Sequence, residues 1–204
     1  MDMRQVSSDQ LGDFAAIYDA DVELVCVARP QAQACEAVSK QLVSSRQVPS
    51  LRWMQAAGDA GAPASALPAT VDAEVRAVLV EQVAEAGEVL RQLMGCEQVG
   101  VRLETLNAPM CPRFHVDHVP CRMLITLSGA GTEWISHADV DWTAFADPET
   151  TAPPVRDRGQ VRHLATGQWS LLKGGAWVDG FDGVVHRSPN APGGRLLLSL
   201  DPIL

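Results

Sequence analysis

The period of the apolar residues changes at Gly95, and this change constrains the fold more than any other feature of the 204-residue chain. Before it, Val71, Val75, Val78, Leu79, Val83, Leu90 and Leu93 recur at helical spacings, so that they share one face. Thr70 is placed to cap that helix, Asp72 and Glu74 suit its N-terminal dipole, and Gly95 stops it. After it, Val99, Val101, Leu103 and Thr105 alternate with Arg102 and Glu104. Cys121, Met123, Ile125 and Leu127 alternate with Arg122, Leu124 and Thr126 in the same way. A period of two belongs to strands with one face in a core. Further short strands are expected at 132–135, 160–164, 168–173, 183–186 and 195–200, with glycine or proline in almost every gap.

The first 95 residues read mostly as helix. Val22–Val27 suits a buried strand, Ala32, Cys35, Val38 and Leu42 follow a helical period, and 56–70 reads as a flexible connection. The expected class is therefore α+β. A mostly helical N-terminal part (1–95) packs on a C-terminal antiparallel double-stranded β-helix, or jelly roll (96–204), as one compact unit. Residues 137–158 have no period, and Trp142 and Phe145 suit a lid over a cavity.

Composition removes several classes of function. The net charge is −9, from 16 Lys+Arg against 25 Asp+Glu, which argues against nucleic acid and anionic membrane surfaces as partners. No apolar run approaches the ~18 residues of a membrane span. The N-terminus lacks the basic start and apolar block of a secretory signal, and five cysteines form no scaffold, with Cys26 and Cys35 read as buried thiols. These features point to a reduced, cytoplasmic protein, and they exclude neither a small molecule nor a protein side chain as its partner.

All five histidines lie beyond residue 114, and the densest cluster is CPRFHVDHVPC over 111–121. Pro109, Pro112 and Pro120 oppose a helix there. In an extended segment His115 and Asp117 share one face and His118 takes the other. An imidazole and a carboxylate side by side supply two of three ligands of a facial triad, and His186, ending the run GVVH, supplies the third. Arg195 opens the apolar strand RLLLSL, where its planar fork calls for a carboxylate partner.

His115-x-Asp117, the turn Gly129-Ala130-Gly131, and His186 followed by Arg195 resemble the pattern of the 2-oxoglutarate/Fe(II) dioxygenases. CPRFHVDHVPCR, VVHRSP and RLLLSLD are similar to an uncharacterised bacterial family of unknown function over most of the chain. The dioxygenase resemblance implies a double-stranded β-helix, Fe(II) on His115, Asp117 and His186, and 2-oxoglutarate anchored by Arg195. Arg122 and Ser199 are further candidates for co-substrate binding, with Arg187 a third arginine within reach. Ser199 lies two positions beyond Leu197, which occupies the place where those enzymes often carry a serine. His118 is expected to support a ligating side chain. Two zinc alternatives stand beside this reading. The same triad could hold zinc in a cupin-like protein without oxygenase activity, or Cys111, His115, His118 and Cys121 could form a compact zinc site.

Overall fold

The computed structural model describes residues 3–30, 43, 50–59, 61–178 and 180–204, so the helical period at Ala32, Cys35, Val38 and Leu42 lies outside the described residues. Among the described residues the strands are β1 (Arg4–Ser8), β2 (Val22–Val27), β3 (Leu51–Ala56), β4 (Gln98–Leu106) and β5 (Cys121–Ser128). They continue with β6 (Glu133–Ile135), β7 (Val161–His163), β8 (Trp169–Lys173), β9 (Val185–Arg187) and β10 (Arg195–Ile203). A large sheet has the order β1-β2-β8-β5-β10-β4-β3, and a small one the order β7-β6-β9. Every pairing is antiparallel except β1 with β2.

The alternation along β10 sorts its side chains between two environments. Leu196, Leu198 and Leu200 join Val101, Leu103, Met123 and Ile125 in the core beneath the helix Ala73–Met94, which contributes Val75, Leu79, Val83 and Leu90. Each such leucine stabilises the fold by about 1.5–3 kcal/mol through burial. The other face of the sheet carries Leu24, Cys26, Leu124, Leu172 and Leu197, which pack on Trp134, Leu164 and Val184 of the small-sheet side. By the same parity Arg195, Ser199 and Asp201 share the inner face with Leu197. Toward β4 and β3 that face is open, with Met54 and Ile203 exposed at its rim.

The long helix confirms the periodicity, with one shift. Its cap is Asp72, whose carboxylate accepts from the Glu74 and Val75 N–H groups, and Gly95 closes it at a φ of 63°. The mostly helical N-terminal part is not what forms. Three strands of the large sheet, β1, β2 and β3, come from before residue 57, beside a short 3-10 segment at Leu11–Tyr18 and the helix. A C-terminal sheet that stands alone beneath a helical part is thereby overturned as well. The two unexpected strands, RQVSS and LRWMQA, are the sheet's edges, partly exposed and without a continuous apolar run, so the hydrophobic period is weak there. The connection 56–70 contains a short helix at Ala62–Ala66.

The segment after β6 does not cover the cavity between the sheets. Trp142 and Phe145 lie on the short helix Trp142–Ala146 and pack with Phe114, Val116, Val155 and Val161 on Ile135, Val140 and Val185. Trp134 and Val184 point inward, so their neighbours Ile135 and Val185 point to the outer side of the small sheet, and this segment is that side's cover.

Candidate metal centre

His115 and His186 exchange two backbone hydrogen bonds of 2.9 Å, an isolated bridge that extends the small sheet beyond β9. The pairing sets their rings 4.5 Å apart. Asp117, two residues on, returns to the same side. One donor atom from each of the three residues lies within 4.8 Å of the other two. Gly174 makes room for this segment: a Cβ there would strike the Val119 and Asp117 carbonyl oxygens.

The ring orientations suit metal binding. His115 Nδ1 donates to the Arg113 carbonyl at 3.0 Å and His186 Nδ1 to the Val184 carbonyl at 2.9 Å. A carbonyl only accepts, so each neutral ring carries its proton on Nδ1 and presents the Nε2 lone pair to the centre. Burial, followed by the charge of His186, lowers the His115 pKa and keeps the ring neutral. Asp117 Oδ2 lies 3.2 Å from His186 Nε2, is buried, and accepts no hydrogen bond. Three electron-pair donors therefore face one another without a hydrogen between them, an arrangement that a cation relieves. Two imidazoles and a carboxylate fit Fe(II).

Arg122 holds the carboxylate. Its Nη1 sits 2.6 Å from Asp117 Oδ1, while Nε and Nη2 grip Asp201 at 2.6 and 2.8 Å. Arg102 reaches the same Asp201 at 2.7 Å. Burial alone would raise the Asp117 carboxyl; the Arg122 guanidinium, paired with Oδ1, works against that and favours the carboxylate. Burial works against the Arg122 charge too, and Asp201 and Asp117 reverse that, leaving its pKa above the ordinary arginine value.

Arg195 is placed differently. It is buried, and Nη2 donates to the Thr126 and Thr132 hydroxyls at 3.1 and 2.5 Å. Nε and Nη1 are buried without a partner. Burial pushes this guanidinium down to about 10, with no carboxylate to offset it. It lines the same cleft as the triad, a cavity of about 340 Å³ whose wall includes Cys111, Leu124, Leu197, Ser188 and Ser199. That size lies within the range of small-molecule sites.

The structure thus brings His115, Asp117, His186, Arg122, Arg195 and Ser199 to one cleft. Arg122 is already committed to two carboxylates, and Arg187 pairs with Glu133 at 2.6 Å. His118 is exposed and outside the cleft wall; the support expected of it comes from Arg122. The compact zinc arrangement does not assemble. Cys121 Sγ points under the long helix, 3.5 Å from Met94 Sδ, and burial pushes its thiol up to about 12, far from the thiolate that zinc needs. The four described cysteines are free. Sequence reasoning missed Asp201, Arg102, Thr126 and Thr132. For Asp201 the signal was present: it follows Arg195, Leu197 and Ser199 at a period of two.

A family model described as "Protein of unknown function (DUF1826)" matches residues 8–201. The chain belongs to this family. No curated protein matches the DUF1826 chain in sequence. Solved structures similar to it include the rice dioxygenase for auxin oxidation, at 17% identity and a TM-score of 0.53, over 99% of this chain and 83% of that one. Another is the dioxygenase for auxin oxidation 1 from Arabidopsis thaliana, in its binary complex with 2-oxoglutarate. It shares 10% identity at a TM-score of 0.55, over 98% of this chain and 92% of that one. A third is a Pseudomonas putida prolyl-4-hydroxylase, at 12% and 0.50, over 99% and 97%. At these identities the likeness is one of fold: the DUF1826 chain has the fold of these two dioxygenases and this hydroxylase. Among the described residues no helix is long and apolar enough to cross a membrane.

Proposed function

We propose that this chain is an oxygenase dependent on Fe(II) and 2-oxoglutarate. One observation carries the proposal: a triad of unprotonated donors shares its cleft with a buried arginine whose Nε–H and Nη1–H have no partner. A buried guanidinium without a counter-charge is costly unless a ligand supplies one. The far carboxylate of 2-oxoglutarate is such a group, matched in charge and in its two acceptor oxygens.

His115 Nε2, His186 Nε2 and Asp117 Oδ2 would hold the iron. Arg122 occupies Asp117 Oδ1, so only Oδ2 is left to ligate. Thr126 and Thr132 fix the Arg195 fork before any ligand arrives, which limits the ordering cost of binding. Leu124 and Leu197 give the cleft apolar walls that displace water around the reacting groups. With iron and 2-oxoglutarate in place, the reaction class is oxidative decarboxylation, in which O2 gives one oxygen atom to succinate and the other to the substrate, with loss of CO2.

The test is an anaerobic titration of metal-free protein with Fe(II) and then 2-oxoglutarate, followed by visible absorption. The expected result is a weak charge-transfer band that requires both additions and is absent from His115→Ala. Iron binding that does not respond to 2-oxoglutarate overturns the proposal, as does an unchanged band in the variant.

A further inference from the structure

Arg102 lines the metal cleft, together with the triad, and also the open groove over β4 and β3. The strand register sets it opposite Ser199 on β10 and opposite Arg52 on β3. Like charges directly across a strand pair are unfavourable. The neighbouring acids relieve this only in part. Arg52 Nη2 meets Glu104 at 3.4 Å, and Arg102 Nη2 meets Asp201 at 2.7 Å. Asp201 does not serve Arg102 alone, because Arg122 grips it with Nε and Nη2. Arg102 Nε and Nη1 make no hydrogen bond among the described residues, and the side chain is 27% exposed.

The charge balance of the cleft leaves the same residue in surplus. Arg187 pairs with Glu133 and Arg52 with Glu104, and both pairs are neutral. With the cofactors of the proposed reaction in place, the ferrous ion, Asp117, Arg195 and the dianion 2-oxoglutarate also sum to zero. What remains is Arg102, Arg122 and their shared Asp201, two cations on one carboxylate. Arg122 spends all three nitrogens on Asp201 and Asp117, so the uncommitted donors of this cluster belong to Arg102. The surplus is local, in a chain whose net charge is −9.

From this arrangement we infer that Arg102 anchors a carboxylate of the substrate, and that the substrate is a small monocarboxylate with an apolar body. This assignment rests on the oxygenase reading of the same cleft. A guanidinium offers its planar donors to both oxygens of a carboxylate. One surplus charge matches a carboxylate better than a phosphate monoester, which carries about −1.5 to −2 at neutral pH. Leu124, Leu197 and Met110 of the cleft wall suit the apolar body. The two carboxylate anchors do not compete. Arg195 stands opposite Leu106 and Ser199 opposite Arg102, so the anchors are separated by four residues of strand, about 13 Å. The triad lines the cleft that both anchors share.

The probes are 3-phenylpropionate, 3-phenylpropionamide and 3-phenylpropylammonium, which carry one apolar body with anionic, neutral and cationic heads. They are titrated calorimetrically into the full chain loaded with Mn(II) and N-oxalylglycine, an unreactive analogue of 2-oxoglutarate that occupies Arg195. The carboxylate should bind at least about tenfold more tightly than the amide, and the ammonium more weakly than either. Arg102→Met should weaken the carboxylate by about tenfold or more and leave the amide unchanged. Retained binding of Mn(II) and N-oxalylglycine shows that the variant's cleft is folded. Arg102→Lys keeps a charge on Asp201 without the planar fork, and gives the same reading should the methionine variant not fold: the carboxylate weakens and the amide does not. No binding of the carboxylate, an amide that binds as well, or variants that keep the preference overturn the inference. Failure of the oxygenase reading is distinguishable. N-oxalylglycine would then not bind the Mn(II) protein, whereas in metal-free Arg195→Met protein the carboxylate preference would still be lost with Arg102.

Discussion

Replacing Arg195 by methionine should make the ligand-free protein more stable, although the residue is buried at the start of an interior strand. At neutral pH the guanidinium is charged both folded and unfolded, so burial penalises the folded state alone. Its fall from 12.5 to about 10 corresponds to about 3 kcal/mol, at ~1.36 kcal/mol per pH unit. The penalty is fully present at neutral pH and is relieved only as pH rises past the folded value. Against it stand two hydrogen bonds to Thr126 and Thr132, worth about 1 kcal/mol each. The two unpartnered nitrogens also disappear, and methionine fills much of the same volume. The balance is a gain of about 1–2 kcal/mol, or a melting temperature raised by about 2–8 °C for a chain of this size. Urea and thermal unfolding of the metal-free protein, wild type against Arg195→Met, give the number directly. In the same pair, each already loaded with Fe(II), added 2-oxoglutarate should raise the wild-type melting temperature further and leave that of the variant unchanged. A variant destabilised by 2 kcal/mol or more would refute the reasoning, because it would mean that Arg195 is already compensated within the protein.

Three other outcomes are expected. Arg122→Met leaves Asp117 and Asp201 facing each other without their shared cation; stability should fall by about 3–5 kcal/mol in urea unfolding, and Fe(II) affinity by about 10–100-fold in an anaerobic titration. Gly174→Ala forces the segment carrying Asp117 away from β8, so Fe(II) affinity should drop while the far-UV circular dichroism of the long helix is retained. Asp72→Ala removes the cap of that helix and should cost about 1 kcal/mol in thermal unfolding, with metal binding unaffected.

The triad was legible because its chemistry coincides with strand parity. His115 and Asp117 are two apart in a segment that prolines keep extended, and His186 ends a short apolar run. The partners of Arg122 were not legible in the same way. Parity places it opposite Cys121 and therefore on the inner face, but Asp201 lies 79 residues further along the chain, and only the pairing of β5 with β10 brings them together. The role expected of His118 fell for a related reason: an arginine on the neighbouring strand outcompetes a residue whose own parity turns it to solvent. The helical reading of the N-terminal part was misled by sheet edges. β1 and β3 are covered on one side only, so their sequences lack the apolar density by which β2, β8 and β10 declare themselves.

The most direct test of the account is an anaerobic crystal structure with 2-oxoglutarate and Mn(II), a redox-quiet substitute for Fe(II). The account predicts one anomalous peak at bonding distance from His115 Nε2, His186 Nε2 and Asp117 Oδ2, with the far carboxylate of 2-oxoglutarate on Arg195 Nε and Nη1. Manganese bound elsewhere, or a carboxylate that leaves Arg195 unpaired, would contradict it.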